Sequence, residues 1–301
     1  MKSFHITIAF IILTQLSFAQ SNTINQEVLD KGNNLILVGK STRERLQQEP
    51  FAGWFNANYA DYTIDSTTAN NLKSLVKGKH FVIFMGTWCG DSRREVPRMY
   101  KLLDYCGVDP SQIELVNVSN HDTAYKQSPG HEERGLNIHR VPDLLVYTGK
   151  KETGRIVESP VESLEKDLLA ILSGKPYQPN YNVVSSLYKQ FQKTSVKKLT
   201  NKQQEVADGL KPLAKHRAEL LSYGYLHLTL KEYEKAILIF RLNTLLFPAD
   251  AEVWNGLANG YIRKGDTTAA LEQYRKAIAL QPANETAVKM MQQLSNNKYP
   301  N

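Results

Sequence analysis

The run Trp88-Cys89-Gly90-Asp91-Ser92 is where this sequence concentrates chemistry. It follows an unbroken apolar stretch, Phe81-Val82-Ile83-Phe84-Met85, suited to a strand buried on both faces. It precedes a helical pattern from about Ser92 to Asp104, with Val96, Met99, Leu102 and Leu103 at helical spacing and Pro97 inside the first two turns. A cysteine brought by a strand to the start of a helix meets unpaired backbone N–H groups and the positive end of the helix dipole. Both favour the thiolate. In such settings a thiol pKa falls from about 8.5 to about 3.5–7.5, which makes the sulfur a nucleophile for disulfide exchange at neutral pH. Ser92, one helical turn on, is placed to offer its hydroxyl to that sulfur, and Arg93 and Arg94 add positive charge nearby. Asp91 brings a carboxylate whose effect on the thiolate is open at this level, and a buried, inert Cys89 is the competing reading.

The chain has 301 residues and two cysteines, Cys89 and Cys106. That count excludes a disulfide-dense scaffold and a cysteine-rich zinc site. Cys106 lies at the far end of the same helix, about 21 Å from Ser92, whereas a disulfide needs Cα atoms within about 7 Å. It reads as a small apolar residue at a helix end or, less simply, as an intermolecular bridge. With 42% hydrophobic and 22% charged residues the composition is that of a globular chain of about two domains. The net charge of +7 is scattered rather than gathered, so nucleic acid is not an expected partner.

Lys2, the apolar run Ile6 to Leu13 and the small residues Ser17 and Ala19 form a secretory leader pattern over residues 1–19, too short an apolar run for a stable membrane anchor. The expected location is therefore outside the inner membrane, periplasmic or extracellular. Residues 20–75 read as an N-terminal extension packed on the next domain, with an extended Leu35-Ile36-Leu37-Val38 and an aromatic stretch through Phe51, Trp54, Phe55, Tyr59 and Tyr62. A second apolar strand at Ile113 to Val118, a strand at Leu144 to Tyr147, another around Arg155 to Val157 and a helix from Ser163 to Leu172 complete a domain over 76–174. Their order is a parallel βαβ unit, a hairpin and a closing helix. Residues 175–216 read as a linker and a helical segment.

Residues 217–250 and 251–284 align at a constant offset of 34, pairing Leu220 with Trp254, Gly224 with Ala258, Ala236 with Ala270, Phe240 with Tyr274 and Pro248 with Pro282. The pattern resembles the tetratricopeptide repeat, and residues 285–295 read as its capping helix, giving an all-α region over 217–295. Two copies are fewer than the three usually needed for a continuous core. His227 and Asn243 stand where the pattern prefers an aromatic and a small residue. Asn255, Asn259 and Arg263, four apart on one helix, are the candidate partner-binding residues of an inner face, with a solvated face or self-association as the other uses of that surface.

Over roughly residues 76–174 the chain also resembles the thioredoxin-like superfamily. The resemblance is carried by the apolar strand, Trp88, Cys89, Gly90, Pro97 eight residues after the cysteine, and Arg140-Val141-Pro142 before the strand Leu144 to Tyr147. The run Trp88 to Pro97 with Gly135-Leu136-Asn137-Ile138-His139-Arg140 is similar to a group of secreted bacterial thioredoxin-like proteins. The resemblance implies an α/β thioredoxin-like fold, a central mixed sheet flanked by helices. It implies that Pro142 is cis and faces Cys89, that Val141 pairs its backbone with an extended substrate, and that Trp88 and Gly90 flank that substrate. Two departures stand beside it. Ser92 occupies the place of a second, resolving cysteine, and Ile83 the place of a buried acid six residues before the nucleophile.

What remains is exchange through one thiol, of reductase or isomerase type. Cys89 would be the nucleophile and Ser92 its hydrogen-bond partner, the partners being disulfide- or thiol-containing client proteins and an external thiol. The alternative is a redox-inactive adaptor in which the repeats do the binding, and a peroxide-reactive Cys89 is a minor third reading. His121, His131 and His139 read as loop histidines. No metal or cofactor is expected, since the chain has no phosphate-binding glycine loop and no serine nucleophile elbow.

Overall fold

The structure, a computed structural model, describes residues 24–295. The leader pattern of residues 1–19 lies outside the described residues. The first half folds in the order β1 (Gln26–Leu29), β2 (Leu35–Ser41), α1 (Arg43–Leu46), α2 (Ala52–Asp61), α3 (Ser66–Leu72), β3 (Lys79–Met85), α4 (Gly90–Tyr105), β4 (Ile113–Asn117), β5 (Asp143–Thr148), β6 (Lys151–Val157) and α5 (Leu164–Leu172). The strands make one six-stranded mixed sheet in the order β1-β2-β4-β3-β5-β6. β3 and β4 are parallel, joined through α4, and β5 and β6 form the antiparallel hairpin. The region before residue 76 does more than pack on this sheet. β1 and β2 extend it, with Gly39 opposite Asn117 and Ser41 opposite Leu115. Ile36, Leu37 and Val38 are all buried, which an apolar run achieves when both faces of its strand are covered.

The two faces are covered differently. Phe81, Ile83 and Met85 point to the same side as Leu115, Leu144 and Val146, and there they meet α2, α3, α4 and α5 through Phe55, Leu72, Met99, Leu103 and Leu168. Val82, Phe84, Val116 and Leu145 point the other way. In place of a helix they meet the long connection between β4 and β5, through Ile138 and Val141, together with Trp88 and Cys89. That connection runs from 118 to 142 without a helix or strand. It is tied to itself by Ser119 and Lys126, whose backbones bond to Gln127 and Ser119, and by the Glu133 carboxylate, which accepts from the Ser128 N–H at 3.0 Å.

The second half is helical: α6 (Asn182–Lys193), α7 (Val196–Asn201), α8 (Gln203–Leu210), α9 (Ala218–Thr229), α10 (Tyr233–Leu246), α11 (Ala251–Lys264), α12 (Thr267–Leu280) and α13 (Glu285–Ser295). α9 and α10 form the first 34-residue unit, α11 and α12 the second, and α13 caps it. The shortage of repeats is made good from upstream. Val183, Val184 and Leu187 of α6, Leu199 of α7 and Val206 and Leu210 of α8 share one core with Leu220, Tyr223, Leu238 and Leu242 of the first unit. The two off-pattern residues are buried with partners: Asn243 donates to the Arg217 carbonyl at 3.0 Å, and His227 lies edge-on to Tyr223 with its Nδ1 on Glu232. Small residues let the helices approach. A Cβ on Gly224 would stand 2.4 Å from Cε1 of the fully buried Phe240.

Gly224→Ala is therefore expected to lower stability by about 1–3 kcal/mol despite the better helix propensity of alanine, because Phe240 has nowhere to move. Chemical denaturation of the two proteins checks it, and equal midpoints would contradict this packing.

Candidate functional site

Cys89 caps the N-terminus of α4 in an extended conformation, and its side chain makes no capping bond to the helix. Its backbone N–H donates to the Gly86 carbonyl at 2.8 Å, a tight turn that brings the chain from β3 into α4. Gly86 is required by contact. A Cβ there would meet the Trp88 indole at 2.5 Å. The indole is held by its Nε1–H, which donates to the Val118 carbonyl at 2.8 Å, and by Tyr125, whose ring lies 5.9 Å away. Gly90 has open space where a Cβ would be, so it leaves one flank of Cys89 uncovered. Cys89 itself is half-buried.

The Val141–Pro142 peptide is cis, and the Cys89 thiol donates to the Val141 carbonyl with Sγ and O 3.3 Å apart. Val141 is buried in this arrangement. The loop that carries it is held on both sides. Lys126 Nζ donates to the His139 carbonyl at 2.5 Å. Arg140 pairs with Glu158 at 3.2 Å, donates to Ser222 Oγ of α9 at 2.9 Å and lies 4.6 Å over the ring of Tyr181. His139 is edge-on to both Tyr181 and Tyr223, each 5.8 Å away.

Ser92 is fully buried, and its Oγ accepts from the Gly86 N–H at 3.2 Å. It thus braces the turn that presents Cys89 and keeps its hydroxyl proton for a second contact. The two arginines are directed elsewhere: Arg93 Nε donates to the Thr87 carbonyl at 2.6 Å, and Arg94 pairs with Asp91 and Glu95. Asp91 is thereby turned toward Arg94. Cys106 is buried against the Ala69 carbonyl, separated from Cys89 by the whole of α4, and burial pushes its thiol up to about 11. That burial disfavours the intermolecular bridge. The three loop histidines point apart, His121 to the Leu29 carbonyl, His131 to Glu133 and His139 to the Asn137 carbonyl. Among the described residues no cluster of histidine, cysteine and carboxylate side chains is placed to hold a metal.

Asp143 is a buried carboxyl that the sequence did not single out. It follows Pro142, is fully buried and pairs across the sheet with Phe84, so its side chain lies on the face that Cys89 and Trp88 cover. Arg155 donates to one of its oxygens at 3.0 Å, and the other has no partner among the described residues. Burial outweighs Arg155 and lifts the carboxyl to about 7. Only the register of β3 against β5 reveals it, since Ile83, the expected position, points to the opposite face.

A cleft of about 540 Å³ is lined by Trp88, the residue before the cysteine, and Tyr125 on one side and by Tyr225, Asn259 and Arg263 on the other. The structure divides the three candidate partner-binding residues. Asn259 and Arg263 face this cleft. Asn255 is buried away from it and donates to Asn284 at 3.1 Å and Glu252 at 3.2 Å. Asn259 is itself fixed, donating to Tyr225 at 2.8 Å and accepting from Tyr274 at 2.6 Å.

Residues 251–284, the α11–α12 unit with its flanking turns, match the Tetratricopeptide repeat family. Superkiller protein 3 of Schizosaccharomyces pombe is 36% identical over 61 residues, which are 20% of this chain and 4% of that protein. The chain thus spans a small fraction of that relative, and the likeness is one of repeat sequence. Among the described residues no helix is long and apolar enough to cross a membrane.

Two outcomes follow from this geometry. In the native protein at neutral pH an alkylating reagent is expected to modify Cys89 and spare Cys106 until the chain is unfolded, as mass spectrometry of the labelled peptides would show. His139 gives a pH effect. Burial, aided by Lys126, Arg155 and Arg140, pulls its imidazole down to about 3, against the opposing hydrogen bond to the Asn137 carbonyl. Below the ordinary histidine pKa the unfolded chain takes up a proton that the folded chain refuses, so His139 removes stability as pH falls, by up to about 1.4 kcal/mol per pH unit. Between pH of about 6 and about 4 the stability of His139→Gln should fall less steeply than that of the wild type, and parallel slopes in denaturant titrations would refute it.

Proposed function

We propose that this chain is a thioredoxin-like protein that performs thiol–disulfide exchange through Cys89, acting outside the inner membrane, in the periplasm or extracellular space, on proteins held by the repeat region. The observation that carries the reading is the position of Cys89. It stands half-exposed at the N-terminus of α4 with its sulfur 3.3 Å from the Val141 carbonyl. That carbonyl accepts from the thiol but repels the thiolate, so loss of the proton releases the sulfur toward the unpaired N–H groups of the first turn of α4. The supporting features are the resemblance over residues 76–174, the parallel β3-α4-β4 unit with its antiparallel hairpin, and the buried Asp143 on the same sheet face. The leader pattern adds an oxidising compartment, where client disulfides persist.

The thiolate attacks one sulfur of a client disulfide. A bond forms between Cys89 and that sulfur, the client S–S bond breaks, and the departing sulfur leaves as a thiolate that takes a proton from water. Ser92 has no thiol to resolve this mixed disulfide, so release falls to a second thiol. A client cysteine gives isomerisation with no net redox change. External thiol gives reduction in two attacks: the first frees the client as a thiol and leaves the donor's sulfur on Cys89, and the second releases the Cys89 thiolate, the two donor sulfurs ending as a disulfide. The Ser92 hydroxyl proton, not needed by Gly86, is available to the sulfur as a hydrogen-bond donor. Trp88, Gly90, Val141 and Pro142 border the client, and Arg263 with Asn259 borders the part of it that lies along the repeats.

The rate of Cys89 alkylation against pH, measured in the full chain carrying Cys106→Ser, should show a midpoint below about 8. Cys89→Ala should abolish exchange with a disulfide substrate. A midpoint at or above about 8.5, or no labelling in the folded state, would overturn the reading and leave a binding protein.

A further inference from the structure

The cleft that Trp88 lines is built jointly by the two halves of the chain. Trp88, the residue before Cys89 in the chain, and Tyr125 form one wall, while Tyr225, Leu228 and Arg263 of the repeat region form the other. Its volume, about 540 Å³, is that of a ligand site rather than of a packing defect. Both walls are held before any ligand arrives: the Trp88 indole by the Val118 carbonyl, and Tyr225 by an Asn259 amide that Tyr274 fixes in turn. Tyr225 nevertheless keeps 40% of its surface exposed, a large aromatic left open where its neighbours Tyr223 and Leu226 are buried. Aromatic side chains so arranged, apolar on the face and polar at the tip, are those that anchor contacts with a protein segment.

The charges select further. Lys31, on the sheet side, is matched by Asp122 at 3.2 Å. Lys264, next to Arg263, is matched by Glu234 at 2.8 Å. Arg263 is exposed on the cleft and has no acidic partner among the described residues. Among the described residues the cleft therefore offers one unbalanced cation, on the opposite wall from Trp88.

We propose that this cleft binds an extended segment of a client protein, with an apolar side chain between Trp88 and Tyr225 and an acidic side chain on Arg263, and that this seating presents a nearby client cysteine to Cys89. The inference uses the exchange reading for its chemistry alone. Occupancy of the cleft is measurable without that chemistry.

The probe is a fluorescein-labelled peptide carrying leucine, serine in the place of the client cysteine, and aspartate, with a second peptide carrying lysine for aspartate. Fluorescence anisotropy with the full chain should show tighter binding of the aspartate peptide. Arg263→Glu should weaken that binding by about fivefold and reverse the preference toward the lysine peptide, and the preference should shrink at high salt. The reversal shows that the variant is folded. Tyr225→Ala should weaken both peptides. Equal binding of the two peptides, a preference indifferent to Arg263, or no binding of either would overturn the proposal. The exchange reading is tested apart from this, with 2-hydroxyethyl disulfide and the wild-type chain. A chain that binds the aspartate peptide in an Arg263-dependent way yet leaves that disulfide untouched keeps the cleft and loses the chemistry.

Discussion

The four residues His139-Arg140-Val141-Pro142 are gripped from two directions, and the geometry of the whole molecule follows from that grip. From the sheet side Lys126 binds the His139 carbonyl and Glu158 binds Arg140. From the helical side Tyr181 and Tyr223 enclose the His139 ring, and Ser222 takes the second arm of Arg140. The Tyr181 hydroxyl also donates to Glu158, so ring, carboxylate and guanidinium form one network. Groups in such a partly buried network reinforce one another, and removing one leaves the others short of a partner. It fixes the carbonyl that Cys89 touches, and it fixes the repeats relative to Trp88. The site and the cleft are two consequences of one junction.

That junction replaces a layer that a sheet of this kind usually obtains from helices. α2 to α5 all lie on one face, and the other is covered by the helix-free connection 118–142. A connection of this length stays ordered only when its polar groups are satisfied, which is the role of Ser128, Glu133 and Lys126, all buried and bonded within it. The cost falls on Lys126, whose ammonium is drawn down to about 8 by burial and by the neighbouring Arg140. The helical half solves its own difficulty in a similar way. Two 34-residue units bury too little alone, so α6 to α8 lend them Val183, Leu187, Leu199 and Leu210.

The sulfur sits between two opposed influences. Its thiol donates to the Val141 carbonyl, and its backbone caps the N-terminus of α4. Arg94, which looks from the sequence like a direct helper, pairs instead with Asp91 and Glu95, while Ser92 accepts from the Gly86 N–H and keeps its hydroxyl proton for another contact. The buried carboxyl is found one residue after Pro142 rather than six before Cys89, and on the sheet face where the sulfur lies.

Much of this was legible in the residues. The apolar run 81–85, the start of a helix after Cys89, the hairpin after Pro142 and the 34-residue period each express a local rule, namely strand burial, helical spacing or repeat packing, and each appears where the residues put it. The isolation of Cys106 followed from the rise of a helix. Other features depend on which elements become neighbours. That β1 and β2 join the sheet, that Asp143 shares a face with Cys89, that Asn255 turns inward while Arg263 faces Trp88, and that His139 and Arg140 lock the halves together are all contacts between segments distant in sequence. Spacing along a chain carries the period of a helix or a strand. It does not carry the register of one strand on another or the partner a side chain meets across an interface, and those are what set the proton, the charge and the open wall of this cleft.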